Sequence, residues 1–349
     1  MEEKVKKHVK LEQEIFSDDI CFEIICMIDD SWFILNNCTL ISKQFFNVIK
    51  ERSKLVIQFK NNITEKRVEL FMKSQFMNSI VDVKFSTNLL EAIEQLKFVT
   101  EMKQLTSLNI RGNRIGVEGA KYISEMKQLT SLNISYNVIG DEGAKYISEM
   151  KQLISLNIRE NEIGDEGAKY ISEMKQLTSL DISYNIIGDE GAKYISGMKQ
   201  LTSLNIYYTL IGIEGAKFIS EMKQLTSLNI SENEIGIEGV KYISEMKQLT
   251  SLNISYNRTG DEGAKFISEM KQLTSLNICG KVKFISEMKQ LTSLNIRGNR
   301  IGVEGAKYIS EMKQLTSLNI RGNRIGDQGL NHENSLLWGA NKFNKSESY

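Results

Sequence analysis

Thiols and imidazoles, the side chains that most often attack substrates or bind metals, are scarce in this chain of 349 residues. The cysteines show no C-x-x-C spacing and the histidines lie near opposite ends; these residues are Cys21, Cys26, Cys38, Cys279, His8 and His332. A zinc site needs about four ligands held together, and a nucleophile needs a base beside it. We therefore expect no catalytic residue, no metal and no cofactor, and reduced thiols in a cytoplasmic or nuclear protein.

Carboxylate pairs and glycine-rich turns are common, but they recur throughout the chain. The pair Asp141-Glu142, for example, returns in later copies of the same pattern. Residues repeated in this way are typical of a scaffold and not of an active site, and no phosphate-binding glycine motif occurs. The chain carries 44 basic and 44 acidic residues, which disfavours a dedicated nucleic-acid-binding protein. No apolar run approaches the roughly 18 residues that span a membrane, and the charged start is not a secretory signal.

An internal repeat sets the elements that must position any binding surface. From Leu105 the chain reads LTSLNIRGNRIGVEGAKYISEMKQ, a unit of 24 residues that then begins again. We number the units 1 to 10; they start at Leu105, Leu129, Leu153, Leu177, Leu201, Leu225, Leu249, Leu273, Leu291 and Leu315. Unit 8 has only 18 residues and unit 10 is partial. Because unit 8 lacks most of the connection between strand and helix, we expect a kink or weak point there.

Each unit predicts one short strand and one helix. Leu129, Leu132 and Ile134, at positions 1, 4 and 6 of unit 2, fit a strand facing a core, so positions 3, 5 and 7 should point outward. Ala144 and Ile147 recur at helical spacing and should be buried. A single unit buries too little to offset its ordering cost, which is on the order of 30 kcal/mol, so the units must stack. The expected fold is an α/β solenoid with parallel strands on the concave face and helices on the convex face.

The pattern L-x-x-L-x-I-x-x-N-x-I-G resembles the leucine-rich repeat family, and G-x-E-G-A-K-x-I-S resembles its 24-residue GALA type. The resemblance covers residues 105–330. It implies that the asparagines at position 9 form a ladder that satisfies backbone groups at the bend, and Thr209 interrupts this ladder. The aromatic residues at position 18, from Tyr122 to Tyr308, should pack between helices.

The N-terminal segment, residues 15–52, predicts three short helices. Ser17 can cap the first helix, and apolar residues recur every four positions from Ile20. The pattern resembles the F-box, which binds the Skp-family adaptor of cullin ubiquitin ligases, although F-boxes usually carry Leu-Pro where this chain has Phe16-Ser17. The resemblance assigns adaptor binding to Phe16, Ile20, Ile24, Ile28, Leu40, Ile41 and Phe45. The alternative is a helical cap that covers the exposed core of the first repeat.

The chain thus divides into four parts. An F-box-like module (1–52) and a stretch of divergent repeats or N-terminal cap (53–104) precede the repeat array (105–330). A C-terminal cap and polar tail (331–349) follow it. The shortened unit 8 occupies residues 273–290.

Function should lie where the units differ, which is at positions 7, 8, 10 and 13. Positions 7 and 8 follow the strand, and adjacent strands lie about 4.8 Å apart, so Tyr184 and Tyr208 should be neighbours. Tyrosines in the middle with arginines toward the ends are similar in composition to binding hot spots. We predict a target-binding concave face made by Arg111, Tyr136, Arg159, Tyr184, Tyr207, Tyr208, Glu232 and Tyr256. The alternative is drift in a recently expanded array.

The leading interpretation is a non-catalytic substrate receptor of a Skp–cullin–F-box ubiquitin ligase, with a Skp-family adaptor, a cullin and an unknown target protein as partners. A second interpretation is a leucine-rich repeat scaffold or recognition protein with no ubiquitin link. A third is nucleic-acid contact through Arg111, Arg114, Arg297, Arg300, Arg321 and Arg324. These arginines flank an acidic stretch and form no continuous basic track, so we expect neither a nucleic-acid nor a membrane partner.

Overall fold

The structure is a computed structural model, and it describes residues 46–49, 54–59, 77–87, 96, 99–280 and 282–323. The predicted C-terminal cap lies outside these residues. So do the residues predicted to bind an adaptor, which are Phe16, Ile20, Ile24, Ile28, Leu40, Ile41 and Phe45. What the structure describes is therefore the repeat array and the two strands that precede it.

Short parallel strands stack in chain order into one sheet, which contains twelve strands in the described part of the chain. Equivalent residues of successive units pair with each other, as Leu132 does with Leu156. A 3-10 turn at Met77–Ser79 leads into the second strand. The strands are β1 (Leu55–Phe59), β2 (Ile80–Phe85), β3 (Ser107–Asn109), β4 (Ser131–Asn133), β5 (Ser155–Asn157), β6 (Ser179–Asp181), β7 (Ser203–Asn205), β8 (Ser227–Asn229), β9 (Ser251–Asn253), β10 (Ser275–Asn277), β11 (Ser293–Asn295) and β12 (Ser317–Asn319).

One helix follows each strand from β3 to β11. The helices are α1 (Gly116–Ser124), α2 (Gly140–Ser148), α3 (Asp165–Ser172), α4 (Gly188–Ser196), α5 (Ile213–Ser220), α6 (Gly236–Ser244), α7 (Gly260–Ser268), α8 (Val282–Ile285) and α9 (Gly302–Ser310). In unit 8 the helix α8 is only four residues long, but β10 still pairs in register with β9 and β11. The deletion in unit 8 therefore shortens the helical layer and leaves the sheet continuous.

An apolar core fills the space between the sheet and the helices. Leu129, Leu132 and Ile134 are at most 2% exposed, and Ala144 and Ile147 are fully buried. Each such side chain removed from water contributes about 1.5–3 kcal/mol to folding for the larger residues. The predicted inward positions are confirmed, and with them the α/β solenoid with strands on its concave face and helices on its convex face.

Position 7 departs from the predicted outward orientation where it is a serine. Ser135, Ser183 and Ser231 are at most 3% exposed. The hydroxyl donates back to position 5 of its own unit, as Ser135 Oγ does to Asn133 Oδ1 at 2.8 Å. The predicted outward orientation holds only for the large residues at position 7. A serine side chain is short enough to bond to position 5 of its own strand, whereas a longer side chain is not.

Asp141 and Asp189 each cap the helix of the following unit. Asp141, in α2, accepts hydrogen bonds from the backbone N–H groups of Gly164 at 2.7 Å and Gly167 at 3.0 Å. Asp189 makes the same pair of bonds to unit 5. A capping side chain of this kind contributes about 1 kcal/mol, and the free helix N–H groups favour its negative charge. The start of a helix in one unit therefore depends on the unit before it.

Buried asparagines at position 9 tie neighbouring units together. The Nδ2 of Asn137 donates to the carbonyl of Ile110 in unit 1 at 3.1 Å and to that of Ile134 in its own unit at 2.8 Å. Its Oδ1 accepts from the backbone N–H groups of Asn113 and Ile115 at 3.0 and 3.2 Å. Because an unpaired buried polar group costs about 1–3 kcal/mol, this predicted ladder fixes the bend in each unit that carries the asparagine.

Thr209 interrupts the ladder in unit 5. Its hydroxyl keeps one of the bonds, to the carbonyl of Ile206 at 2.7 Å. Thr209 has no carboxamide oxygen. It therefore cannot accept the hydrogen bonds that an asparagine in its place would accept from the backbone N–H groups of Asn185 and Ile187 in unit 4. Unit 5 therefore lacks part of the network that the units with an asparagine at position 9 share.

Replacing Thr209 with asparagine should stabilise the protein. The new carboxamide would supply the missing acceptor, so we expect the Thr209→Asn variant to gain about 1–3 kcal/mol of unfolding free energy in a urea titration. The matched reverse change, Asn137→Thr, should lose a similar amount. A Thr209→Asn variant no more stable than the wild type would contradict the assignment.

Candidate functional site

The predicted target-binding residues lie where the chain leaves the sheet. The backbone N–H at position 8 still donates to a carbonyl of the next unit, from Tyr184 to Tyr207 at 2.9 Å and from Tyr208 to Ser231 at 3.1 Å. The same residues have positive φ, 55° at Tyr184 and 53° at Tyr208, which residues other than glycine adopt only at a cost. Sheet pairing therefore holds these side chains in a fixed direction.

Three tyrosines of units 4 and 5 form an aromatic cluster. The ring centroids of Tyr184 and Tyr208 are 5.2 Å apart, so these residues are neighbours as predicted. Tyr207 lies 4.8 Å from Tyr184 in an edge-on arrangement and 6.3 Å from Tyr208. The hydroxyl groups of Tyr184 and Tyr207 share a hydrogen bond of 2.9 Å. Each such ring pair contributes about 0.5–1.5 kcal/mol, so the rings are ordered before any partner arrives.

Two arginines extend this cluster toward unit 1. The guanidinium carbon of Arg159 lies 4.2 Å from the ring centroid of Tyr184, and its Nε donates to the hydroxyl of Tyr136 at 3.1 Å. Arg111 lies 4.5 Å from the ring centroid of Tyr136. Cation–π contacts of this kind contribute about 0.5–1 kcal/mol at exposed sites. We call the whole series the aromatic stack; it consists of Arg111, Tyr136, Arg159, Tyr184, Tyr207 and Tyr208.

The two remaining predicted residues differ in position. Glu232, in unit 6, accepts a hydrogen bond from Tyr207 and closes the stack on that side. Tyr256, in unit 7, is 59% exposed, and among the described residues no ring contact joins it to the stack. The structure therefore brings together all of the predicted target-binding residues except Tyr256.

Tyr207 is the electrostatically unusual member of the stack. Burial raises the pKa of Tyr207 above its ordinary value, and its hydrogen bonds to Tyr184 and Glu232 raise the pKa further. The negative charge of Glu232 acts in the same direction, because it opposes a second negative charge nearby. At neutral pH Tyr207 is therefore an uncharged hydroxyl that shares a hydrogen bond with Tyr184 and lies beside the carboxylate of Glu232.

Sequence reasoning missed an apolar edge beside the stack. Ile186 and Leu210, at position 10, are 66% and 59% exposed, and Ile213 and Ile237, at position 13, are 44% and 39% exposed. Ile186 and Leu210 lie between strand and helix, and Ile213 and Ile237 lie in the first turns of α5 and α6. The signal that identifies them in the sequence is the variation at positions 10 and 13, where most other units carry charged residues.

The described residues offer little for catalysis. Among them, no group of three or more histidine, cysteine, aspartate or glutamate side chains is arranged to hold a metal ion. Cys279 is a free, half-buried thiol. Over the same residues, every helix is too short or too polar to cross a membrane.

The stacked strands, the asparagine ladder and the helical outer layer define a leucine-rich repeat solenoid. The model of the Leucine Rich repeat family matches residues 103–124, 127–148, 152–172, 175–196, 223–244, 247–268, 289–310 and 313–331. The chain is a leucine-rich repeat protein. Unit 5, which carries Tyr207, Tyr208 and Thr209, falls between two of the matched stretches although it has its full length.

Two solved structures are similar to this chain. An internalin (inlF) from Listeria monocytogenes superposes with a TM-score of 0.54 and 18% sequence identity, over 88% of this chain and 92% of that chain. The functional domain of InlJ from Listeria monocytogenes has a TM-score of 0.49 and 20% identity, over 84% of this chain and 64% of that chain. At this identity the first similarity shows a shared fold alone. No curated protein matches the sequence significantly.

The raised pKa of Tyr207 predicts how stability depends on pH. A tyrosine in the unfolded chain ionises near about pH 10, whereas folded Tyr207 stays protonated to higher pH. Its contribution to stability is therefore fully present below about pH 10 and is lost as the pH rises above that value. In urea titrations from about pH 8 to about pH 11, we expect the unfolding free energy of the Tyr207→Phe variant to fall less steeply than that of the wild type.

The matched control is Tyr256→Phe, because Tyr256 is exposed and lies outside the stack. This variant should keep the wild-type slope. Equal slopes for Tyr207→Phe and the wild type would show that Tyr207 is not held protonated in the folded state.

Proposed function

We propose that this chain is a non-catalytic protein-binding receptor whose target docks on the concave face at the aromatic stack. One observation carries the proposal. In an array of nearly identical units, unit 5 departs from the repeat at Tyr207, Tyr208 and Thr209 and loses ladder hydrogen bonds there. Natural proteins break their local structural rules mainly at functional sites. Drift alone gives no reason for these departures to adjoin Tyr184 and Arg159 in space.

The order within the stack supports binding. Tyrosine and arginine are the residue types enriched at interface hot spots. Tyr184 and Tyr207 are already held by their shared hydrogen bond, and Arg159 is already held against Tyr184. Side chains that are ordered beforehand lose little freedom on binding, so less of the interaction energy is spent on ordering them.

We propose further that the receptor is the substrate-recognition subunit of a Skp–cullin–F-box ubiquitin ligase in the cytoplasm or nucleus. The support is the sequence of residues 15–52, which resembles an F-box and precedes repeats of GALA type. The adaptor would bind the apolar residues that begin at Phe16 and end at Phe45. The transfer chemistry would come from partner chains, and this chain would contribute proximity by holding the target near them.

A second candidate is a leucine-rich repeat scaffold or recognition protein with no ubiquitin link. The same concave surface supports it, and the N-terminal segment would then be the helical cap of the solenoid. The two candidates share the target-binding surface and differ only in whether residues 15–52 bind an adaptor.

Loss of the tyrosine rings should weaken target binding. With the full-length chain as bait in a cell extract, replacing Tyr184, Tyr207 and Tyr208 by alanine should lower recovery of the target protein about tenfold or more. The control is Tyr146→Ala, on the helical layer away from the concave face, which should recover the target as the wild type does. Unchanged recovery by a folded triple variant would remove the aromatic stack as the binding surface.

Adaptor binding is tested on the full-length chain. The intact protein should co-purify a Skp-family adaptor and a cullin, and a variant carrying Ile24→Lys and Leu40→Lys should recover neither, because the charges disrupt an apolar contact. The triple tyrosine variant should still recover both, which separates adaptor binding from target binding. If the intact chain recovers neither protein, the ligase assignment fails and the second candidate stands.

A further inference from the structure

The strand-to-helix edge of units 3 to 6 differs in composition from that of units 1, 7 and 9. At unit positions 8, 10, 13 and 14 on this edge, every residue is either acidic or apolar, with no lysine or arginine among them. Units 1, 7 and 9 carry Arg114, Arg258 and Arg300 at position 10. The central edge is therefore a region of one sign of charge with an apolar middle.

The apolar middle is exposed. Ile186, Tyr208 and Leu210 are 66%, 50% and 59% exposed, and Ile213 and Ile237 beside them are 44% and 39% exposed. These five residues, which we call the edge patch, lie in the connections and first helical turns of three consecutive units, whose strands are about 4.8 Å apart. Single exposed apolar side chains are common on protein surfaces. A contiguous group of exposed apolar side chains, in contrast, marks an interaction site.

Acidic residues border the edge patch on both sides. On the unit 3 side, Glu160, Glu162 and Asp165 are exposed and have no ion-pair partner within the described part of the chain. On the unit 6 side lie Glu232 and Glu234. Glu234 pairs with Arg258 at 3.0 Å, but both side chains are largely exposed, so this pair is weak and easily exchanged for another cation.

We infer that the edge patch binds a segment of the target protein in which apolar side chains lie between lysine or arginine residues, an inference that rests on the proposed protein-binding function. The apolar side chains would cover Ile186 and Leu210, and the basic residues would face Glu160 and Glu162 at one end and Glu232 at the other. Units 3 and 6 are separated by about 14 Å at the sheet, which is the length of about ten residues of helix. Nucleic acids and anionic lipids do not fit, because the charged side chains that border the edge patch are carboxylates.

The test uses the full-length chain and synthetic peptides of about 14 residues labelled with fluorescein. The first peptide carries leucines along one helical face and lysines at both ends. A second replaces its lysines with glutamates, and a third replaces its leucines with serines. Binding is measured by fluorescence anisotropy at about 50 mM and about 500 mM salt.

We expect the lysine–leucine peptide to bind, the glutamate and serine peptides to bind at least about tenfold more weakly, and high salt to weaken binding. The double variant Ile186→Ser/Leu210→Ser should lose about tenfold in affinity for the lysine–leucine peptide. Its matched control is Val138→Ser, which changes a 51% exposed residue at the same unit position outside the edge patch and should bind as the wild type does. All three substitutions are at exposed sites, and circular dichroism checks that the variants are folded.

Three binding results would overturn the inference. They are equal binding of the lysine–leucine and glutamate peptides, wild-type affinity in the Ile186→Ser/Leu210→Ser variant, and no binding of the lysine–leucine peptide. A wild-type dimer that this double variant converts to monomer in size-exclusion chromatography with light scattering would also overturn it, by making a second copy of the chain the occupant. If the chain recovers a target through the aromatic stack but binds no basic peptide, this inference fails while the proposed function stands.

Discussion

Every unit of this solenoid depends on hydrogen bonds that only its neighbours can supply. The carboxamide of Asn137 bonds to backbone groups of units 1 and 2, and the strand of one unit is paired on both sides by the strands of others. A unit in isolation would leave these groups unpaired at its bend, at a cost of about 1–3 kcal/mol for each buried group. The requirement constrains most of the 24 positions and leaves the main variation at positions 7, 8, 10 and 13, although Asp141 and Asp189 at position 13 also bond to the following unit.

The same network explains why the variable positions make an ordered surface. Backbone pairing continues through Tyr184 and Tyr208 even though their φ angles are positive, so the rings emerge from a fixed backbone at the spacing of adjacent strands. Arg159 fills the space between the rings of units 2 and 4. The surface is therefore built by small changes on a rigid repeat, and the largest of them, in unit 5, coincide with the break in the ladder at Thr209.

The regular part of the fold could be predicted from the sequence, because the periods of strand and helix recur in every unit and reinforce one another. The proximity of Tyr184 and Tyr208 followed from strand spacing alone. The connections could not be predicted in this way. Units 2, 3 and 4 share the sequence Ile-Gly-Asp-Glu-Gly, yet Gly140 has a φ of 60° and Gly164 has a φ of −100°. The difference is decided by the carboxylate of Asp141, which reaches the helix of unit 3 from the unit before it.

These caps alternate from unit 2 to unit 5. Units 2 and 4 provide a capping aspartate, and units 3 and 5 receive it. In unit 3 the aspartate becomes the first residue of its own helix, and the helix of unit 4 begins instead at a left-handed glycine. The alternation stops after unit 5, where Ile213 and Ile237 stand in place of the aspartate and Gly236 and Gly260 are both left-handed. A connection in this part of the array thus takes its form from the unit before it, so a change at Asp141 or Asp189 would alter the following unit as well as its own.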